Sequence, residues 1–380
     1  MKVDFFRHGL CEIEINAVAE VLKSSFLTAG PLTQSFETKL AEYLGAKYCV
    51  GLTSCTAALF LALKALGIKE GDEVIVPAMT FIATANVVLH CGARPIFVDV
   101  EADTGLIDPA AVVAAITPAT KAIIPVHLYG QMADMKALRG IADTHGLAIV
   151  EDAAHAVEAI RDGIKPGQLG DVVAFSFYAT KNITSGEGGA AVTNRQDLYE
   201  TMRLLRQHGM SKSAAERYHG NYQHWDMLDL GYKYNMFDIQ AALLIPQLEQ
   251  IERNLERRAE ICAHYEAKFS HAGLDFPVVR PTSRSARHLF TVWAPSHPTG
   301  ETRDEVLRKL QEQQVGVAVN YRAVHLLSYY AKRFGFKEGV FPNAERIGHR
   351  TFTIPLYPRL KTEEIDYVTA KVIEACRKVG

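Results

Sequence analysis

Leu147-Ala148-Ile149-Val150-Glu151-Asp152-Ala153-Ala154-His155 sets four apolar residues directly against two acids. A short continuous apolar run of this kind suits a strand buried on both faces by crossover helices. Six further runs share its character: Tyr48-Cys49-Val50, Val74-Ile75-Val76, Ile96-Phe97-Val98, Ala122-Ile123-Ile124, Val172-Val173-Ala174-Phe175 and Ala190-Ala191-Val192. All fall between Lys47 and Thr193. The stretches separating them, such as Thr56–Ala65 and Met135–His145, carry apolar residues at helical spacing. Strand and helix in alternation predict an α/β domain on a mostly parallel sheet.

Upstream, Phe36, Leu40 and Tyr43 fall at helical spacing within Pro31–Leu44, so a helix should precede the sheet. Downstream of Asn235, the residues Leu244, Leu248, Ile251, Leu255 and Cys262 recur at helical intervals. They predict one long charged helix, with Pro246 inside it as a kink or break. Residues 265–380 mix short strands and helices and read as an α+β unit. The expected division is a large domain over residues 13–245 and a smaller one over 246–380, with residues 1–12 packing on the smaller.

The 380 residues are 48% apolar and 22% charged, ordinary for a soluble globular protein, and the length allows two cores. A net charge of −2, with both signs interspersed, gives no electrostatic case for a nucleic-acid partner. The six cysteines (Cys11, Cys49, Cys55, Cys91, Cys262 and Cys376) form no C-x-x-C pair and read as thiols in a reducing compartment. Met1-Lys2-Val3-Asp4 lacks the layout of a signal peptide. No apolar run approaches the roughly 18 residues of a membrane span. A cytoplasmic location is expected, with no membrane partner and no metal site. No G-x-G-x-x-G opens a helix after an early strand, which argues against a dinucleotide-binding dehydrogenase.

Three features carry chemistry. Asp152 directly follows a buried strand, at the sheet edge where open α/β folds bind ligands; taken alone it reads as a helix-capping Asp. Lys181 ends Phe175-Ser176-Phe177-Tyr178-Ala179-Thr180-Lys181, a segment too apolar for a merely solvated lysine. A desolvated lysine loses basicity and becomes a nucleophile toward an aldehyde. The following Thr184 to Gly189 lets backbone pass close to a flat ligand, or simply makes a turn. Thr53-Ser54-Cys55-Thr56-Ala57-Ala58 offers hydroxyls and free N–H groups at a helix start, suited to a phosphate or to ordinary capping. An anion seat, an acid and an amine on loops after sheet strands are what pyridoxal 5′-phosphate requires.

On these residues the chain resembles the DegT/StrS-type sugar aminotransferases. The likeness runs through Glu151-Asp152-Ala153-Ala154-His155-Ala156, Gly170-Asp171, Phe175-Ser176-Phe177, Lys181 and Gly186-Glu187-Gly188-Gly189. It continues in Phe26-Leu27-Thr28-Ala29-Gly30-Pro31, Val76-Pro77-Ala78-Met79-Thr80-Phe81, Gly231-Tyr232-Lys233-Tyr234-Asn235-Met236 and Phe341-Pro342-Asn343-Ala344-Glu345. The resemblance implies a fold-type-I, pyridoxal-phosphate-dependent transferase: a large domain on a mostly parallel, mixed, seven-stranded sheet and a smaller α+β C-terminal domain.

It also implies roles. Lys181 would form the Schiff base with the cofactor and shuttle the proton. Asp152 would pair with the pyridine nitrogen, His155 would lie near the ring hydroxyl, and Phe81 would stack on the ring. Thr56, the backbone at Ala57, and Ser176 would hold the phosphate. Asn235 would reach the phosphate of a neighbouring subunit in a homodimer with shared sites. Taken alone, Phe81 reads as core packing and Asn235 as a helix cap. The family's ping-pong reaction would move an amino group from a donor, L-glutamate by analogy, to a nucleotide-linked keto sugar. Lys233, Arg322 and His325 are the candidates for its pyrophosphate, a solvated surface being their other reading.

Three positions depart from the family pattern: Cys55 where Gly is frequent, Glu158 where a small residue is usual, and Phe237 where a small hydroxyl residue is usual. A related branch carries His at the lysine position and dehydrates; Lys181 argues against it. Gly186-Glu187-Gly188-Gly189 resembles members that aminate C4 more than C3 enzymes with Gly-Asp-Gly or Gly-Asp-Ala. The rivals are a C3 or cyclitol-ketone (inosose) aminotransferase and a non-catalytic regulator that senses cofactor or sugar.

Overall fold

The computed structural model describes residues 1–212, 224–295 and 302–377. The early apolar runs form β1 (Tyr48–Leu52), β2 (Glu73–Pro77), β3 (Arg94–Val98), β4 (Thr120–Ile123) and β5 (Ala148–Asp152). After the two-residue β6 (Ile160–Arg161) come β7 (Val172–Ser176) and β8 (Gly189–Thr193). All but β6 join one seven-stranded sheet in the order β1-β8-β7-β5-β4-β2-β3. β2, β3, β4, β5 and β7 pair in parallel, whereas β8 runs antiparallel to both its neighbours. The sheet is therefore mixed and mostly parallel. Every residue of β7 and β8 is buried, which explains why their runs show no polar alternation.

Side chains alternate between the two faces of the sheet. Val50, Val74, Val76 and Ala174 enter one core; Cys49, Ile75, Val173 and Phe175 enter the other. Four helices flank the first strands: α1 (Glu12–Lys23), α2 (Pro31–Leu44), α3 (Cys55–Ala65) and α4 (Ile82–His90). A third core gathers Tyr265, Phe269, Phe290, Phe352 and Val368 around the antiparallel pair β10 (Phe290–Trp293) and β11 (Thr351–Ile354). A two-residue β9 (Ser283–Arg284) pairs with β6.

The N-terminus lies on this third core. Val3 is buried in it, its N–H donates to the Gln314 carbonyl at 3.0 Å, and its own carbonyl accepts from Gly316 at 2.8 Å. The C-terminal region also returns to the large sheet. Tyr330 packs edge-on against Phe97 at 5.4 Å, and Val324 N–H donates to Ala78 O at 2.8 Å. A cut at residue 246 thus leaves this returning segment on the larger core.

The long helix expected after Asn235 is two helices, Asp238–Glu249 and Ile251–His271. Pro246 lies inside the first, and the break falls at Gln250 (φ −107°, ψ 7°), four residues later. Proline removes a single N–H, and the helix ends one turn beyond it.

Asp238 also fixes the start of α2. Its Oδ1 accepts from Gly30 N and Thr33 N, both at 2.9 Å, and from Thr33 Oγ1 at 2.7 Å, while Oδ2 accepts from Leu32 N at 3.2 Å. The carboxylate of one helix therefore caps another, where first-turn amides lack partners and the dipole favours negative charge. Asp238→Ala leaves these groups without their acceptor in a buried place. We expect a loss of about 2–4 kcal/mol, read as a lower urea midpoint; an unchanged midpoint would mean that water satisfies those amides.

Candidate active site

Strand order decides what meets at the carboxyl edge of the sheet. β5 ends at Asp152 and β7 at Ser176, and the start of antiparallel β8, Gly189, pairs with both Ser176 and Leu52. The loops leaving these ends surround a cavity of about 480 Å3. Thr56, Phe81, Asp152, His155, Ser176 and Lys181 all line it.

The N-terminus of α3 points its first turn at this cavity. Ser54 is the cap, its Oγ accepting from Ala57 N–H at 3.1 Å. Thr56 is exposed on the cavity wall and Ser176 is nearly buried across from it. The amide expected to serve as a ligand, that of Ala57, is instead occupied by Ser54, because capping is the nearest use for an N3 amide. The remaining hydroxyls and the helix dipole still suit an anion. Gly189 packs against the same turn: a Cβ there would lie 2.2 Å from the carbonyl carbon of Ser54. This glycine gives room to α3, while Gly188 beside it lines the cavity.

Asp152 is 5% exposed and held by three groups. Its Oδ2 accepts from Thr84 Oγ1 at 2.8 Å, and Thr84 in turn meets Thr80 Oγ1 at 2.8 Å. Its Oδ1 accepts from Ala154 N–H at 3.2 Å and from the Cys55 thiol at 3.9 Å. Sequence reasoning missed the two threonines, although their four-residue spacing across the start of α4 was a usable signal.

Lys181 has its basicity lowered to about 8, chiefly by burial; nearby Cys55 and Asp152 pull the other way. His155 is also pushed well below the ordinary imidazole range, first by burial and then by the charge of Lys181. Its tautomer follows from its partners. Tyr129 N–H can only donate, and it meets Nδ1 at 3.3 Å, so the ring proton sits on Nε2, 3.3 Å from Tyr321 Oη. Tyr321 comes from far down the chain and was not expected here. Phe81, half exposed, stands 5.6 Å from the Tyr321 ring, and the two form an aromatic rim.

The other expected residues lie outside this cavity. Asn235 is buried beside Leu52, with Nδ2 donating to Met236 O at 3.4 Å and Oδ1 without a partner. Lys233 and Arg322 are exposed. His325 is a correction: it is fully buried, its Nε2 bonds Glu345 Oε1 at 2.9 Å, and Phe341 packs edge-on against it at 4.7 Å. A tight turn over Val324–Leu326 aims this ring into the core, away from any substrate. Among the described residues no cluster of three His, Cys, Asp or Glu side chains could hold a metal ion, and no helix is long and apolar enough to cross a membrane.

Comparison with known proteins agrees with this geometry. The DegT/DnrJ/EryC1/StrS aminotransferase family profile matches residues 10–373. The spore coat polysaccharide biosynthesis protein SpsC of Bacillus subtilis (strain 168) is 45% identical over 369 residues, 96% of this chain and 94% of that one. Among solved structures, Spr1654 of Streptococcus pneumoniae in its PMP form superposes with a TM-score of 0.92 at 32% identity, covering 99% of both chains. DesV of S. venezuelae gives 0.88 at 37% identity, covering 97% of this chain and 95% of that one. Spr1654 is also solved in a PLP form. The cofactor is pyridoxal 5′-phosphate, and the side chains at the cavity fit it: a weakly basic amine, an oriented carboxylate, and hydroxyls at a helix N-terminus.

The lowered basicity has a direct readout. Because Lys181 in the folded chain titrates near 8, about a tenth of its amine is neutral at pH 7, against fewer than about one in a thousand for an ordinary lysine. In cofactor-free protein, reductive methylation of Lys181 followed by mass spectrometry should rise with pH through a midpoint near 8. A midpoint in the ordinary lysine range would show that the amine is solvated.

Proposed function

The chain belongs to the DegT/DnrJ/EryC1/StrS aminotransferase family, and from that premise we propose that it moves an amino group from L-glutamate to C4 of a nucleotide-linked 4-keto sugar. It is a pyridoxal-phosphate-dependent sugar aminotransferase. The observation that carries the transaminase reading is the Lys181 amine, held near 8, in one cavity with Asp152, Thr56 and Ser176.

When bound, the cofactor supplies an aldehyde carbon and an electron-withdrawing ring. The chain's residues supply the rest. Lys181 offers an amine of which about a tenth is neutral at pH 7 and, once released, would carry the proton between the substrate carbon and the cofactor's aldehyde carbon. Asp152 presents a carboxylate oriented by Thr84 and Ala154, suited to hold a proton on the ring nitrogen. His155 offers a single N–H, fixed at Nε2 and kept neutral by burial. Thr56, Ser176 and the start of α3 bind the phosphate, and Phe81 gives a flat apolar face at the mouth.

The choice of C4 rests on Gly186-Glu187-Gly188-Gly189, and Glu187 and Gly188 stand on the cavity wall, where they would meet a substrate. A homodimer is supported by the surface around Asn235. Met227, Leu228, Leu230 and Phe237 are apolar and 37–74% exposed, more than an isolated surface needs. A second copy seated there would cover them. Lys233 and Arg322, exposed in this chain, remain available to a nucleotide's pyrophosphate. A cytoplasmic location accords with six cysteines that form no disulfide.

A panel of 4-keto and 3-keto nucleotide sugars and an inosose, incubated with glutamate, tests the substrate by product mass spectrometry. Amination of a 4-keto sugar is expected; amination only at C3, or only of the cyclitol ketone, would overturn the choice. Lys181→Ala should abolish turnover while still binding the cofactor non-covalently. Retained turnover would defeat the role given to Lys181, and no turnover in the parent on any ketone would favour a sensor.

A further inference from the structure

Glu158 stands six residues beyond Asp152, on the loop that also carries His155, where a small residue is usual in the family. It is 1% exposed. Its carboxylate forms a buried ion pair with Arg258, from the helix Ile251–His271 of the C-terminal region, itself 2% exposed. Both carboxylate oxygens also accept from Asn182 Nδ2, at 3.0 and 2.9 Å. Asn182 is the residue directly after Lys181.

The orientation of the Asn182 amide follows from these contacts. Its NH2 faces Glu158 and the Ala286 carbonyl at 3.0 Å, so its oxygen must face the remaining neighbour, His288 Nδ1, at 3.1 Å. An amide oxygen only accepts, hence His288 carries its proton on Nδ1. The His288 ring lies 4.5 Å from His155, which carries its proton on Nε2. Two adjacent buried histidines are thus held in opposite tautomers.

Lys181 borders two spaces. One is the 480 Å3 cavity; the other, of about 120 Å3, lies on its far side and is shared with Asn182, Arg258 and His288. The lysine's backbone N–H donates to Tyr178 O at 2.9 Å, a bond that does not decide which space its amine serves. We propose that Glu158, Arg258 and Asn182 form a buried clamp that positions Lys181 toward the larger cavity and keeps water from it. Glu158 and Arg258 neutralise each other, and Asn182 joins that pair to the segment carrying the amine. They are positioning residues, since none of the three lines the larger cavity. The titratable groups facing Lys181 are Cys55 from α3, Asp152 from β5, His155 from the loop after it, and His288. None is a member of the clamp, but Asn182 also holds the His288 ring at Nδ1, so the double variant, which leaves Asn182 in place, is the one that acts on Lys181 through solvation and placement alone.

The inference rests on Lys181 as the reacting amine, and the test needs no sugar, so a wrong substrate leaves it standing. Two variants of the full chain are compared with the parent by the pH dependence of Lys181 reductive methylation: Asn182→Ala, and the double variant Glu158→Leu/Arg258→Met. Replacing a buried ion pair by apolar residues of similar volume is often neutral for folding, so the double variant should keep its thermal midpoint within a few degrees. In both variants the tie between Asn182 and Glu158 is lost, so the lysine segment is no longer held, its amine can turn toward water, and the methylation midpoint should move up by about one pH unit. In cofactor-loaded protein the half-reaction with glutamate should slow at least tenfold at unchanged glutamate KM. A double variant with the parent's midpoint and rate would reduce the ion pair to mere packing. The same result for Asn182→Ala, which leaves the ion pair in place, would overturn the clamp even if the double variant does not fold.

Discussion

Burial of one amine is the constraint around which the site is arranged. A lysine near the surface would stay protonated at neutral pH, so the chain must withdraw Lys181 from water without neutralising it fully. Burial lowers its basicity to about 8, while Asp152 and Cys55 restrain the fall. Asp152 must remain close for its own purpose, and its two oxygens are already engaged by Thr84 and Ala154. Those bonds aim the carboxylate and leave it short of a direct claim on the lysine. The balance requires groups from four places in the chain to stand at one sheet edge, which the parallel strands and their crossovers provide.

The same balance explains the neutral histidines. His155 and His288 both lie within the influence of Lys181, and further charge there would compete with the amine for the same proton economy. Burial keeps both rings neutral, and their partners choose the tautomers: Tyr129 N–H for His155, Asn182 for His288. A neutral ring with a fixed proton can direct a hydrogen bond without adding charge to the site.

Much of this was legible in the residue order. Seven apolar runs correspond to the seven strands, and Asp152, Ser176 and Lys181 could be read because each follows a run that has no reason to end in a polar group except at an edge. Thr56 could be read because hydroxyls cluster at a helix start. What escaped depended on the third dimension. Thr84 reaches Asp152 from the first turn of α4, and Tyr321 reaches His155 from a distant loop that no local pattern near His155 announces. His325 was misjudged for the reverse reason. By sequence it reads as a pyrophosphate ligand or a solvated residue, yet one tight turn faces its ring inward to Glu345, twenty residues later. The Pro246 break fell one turn late because a helix tolerates the loss of one donor better than the spacing rule implies.

The reversed direction of β8 has a consequence for how the chain reaches this state. Ser176 and Gly189 are paired across an antiparallel ladder, so the segment bearing Lys181 is the tip of a hairpin closed over residues 177–188. Parallel neighbours in this sheet need a crossover of a dozen or more residues, usually with a helix, before they can meet. Closing a short loop costs less chain entropy than closing a long one, by about 0.6 kcal/mol for each halving. The lysine therefore travels on one of the most local pairings in the sheet, while the acid, the threonines and Tyr321 must be brought to it by contacts of much longer range.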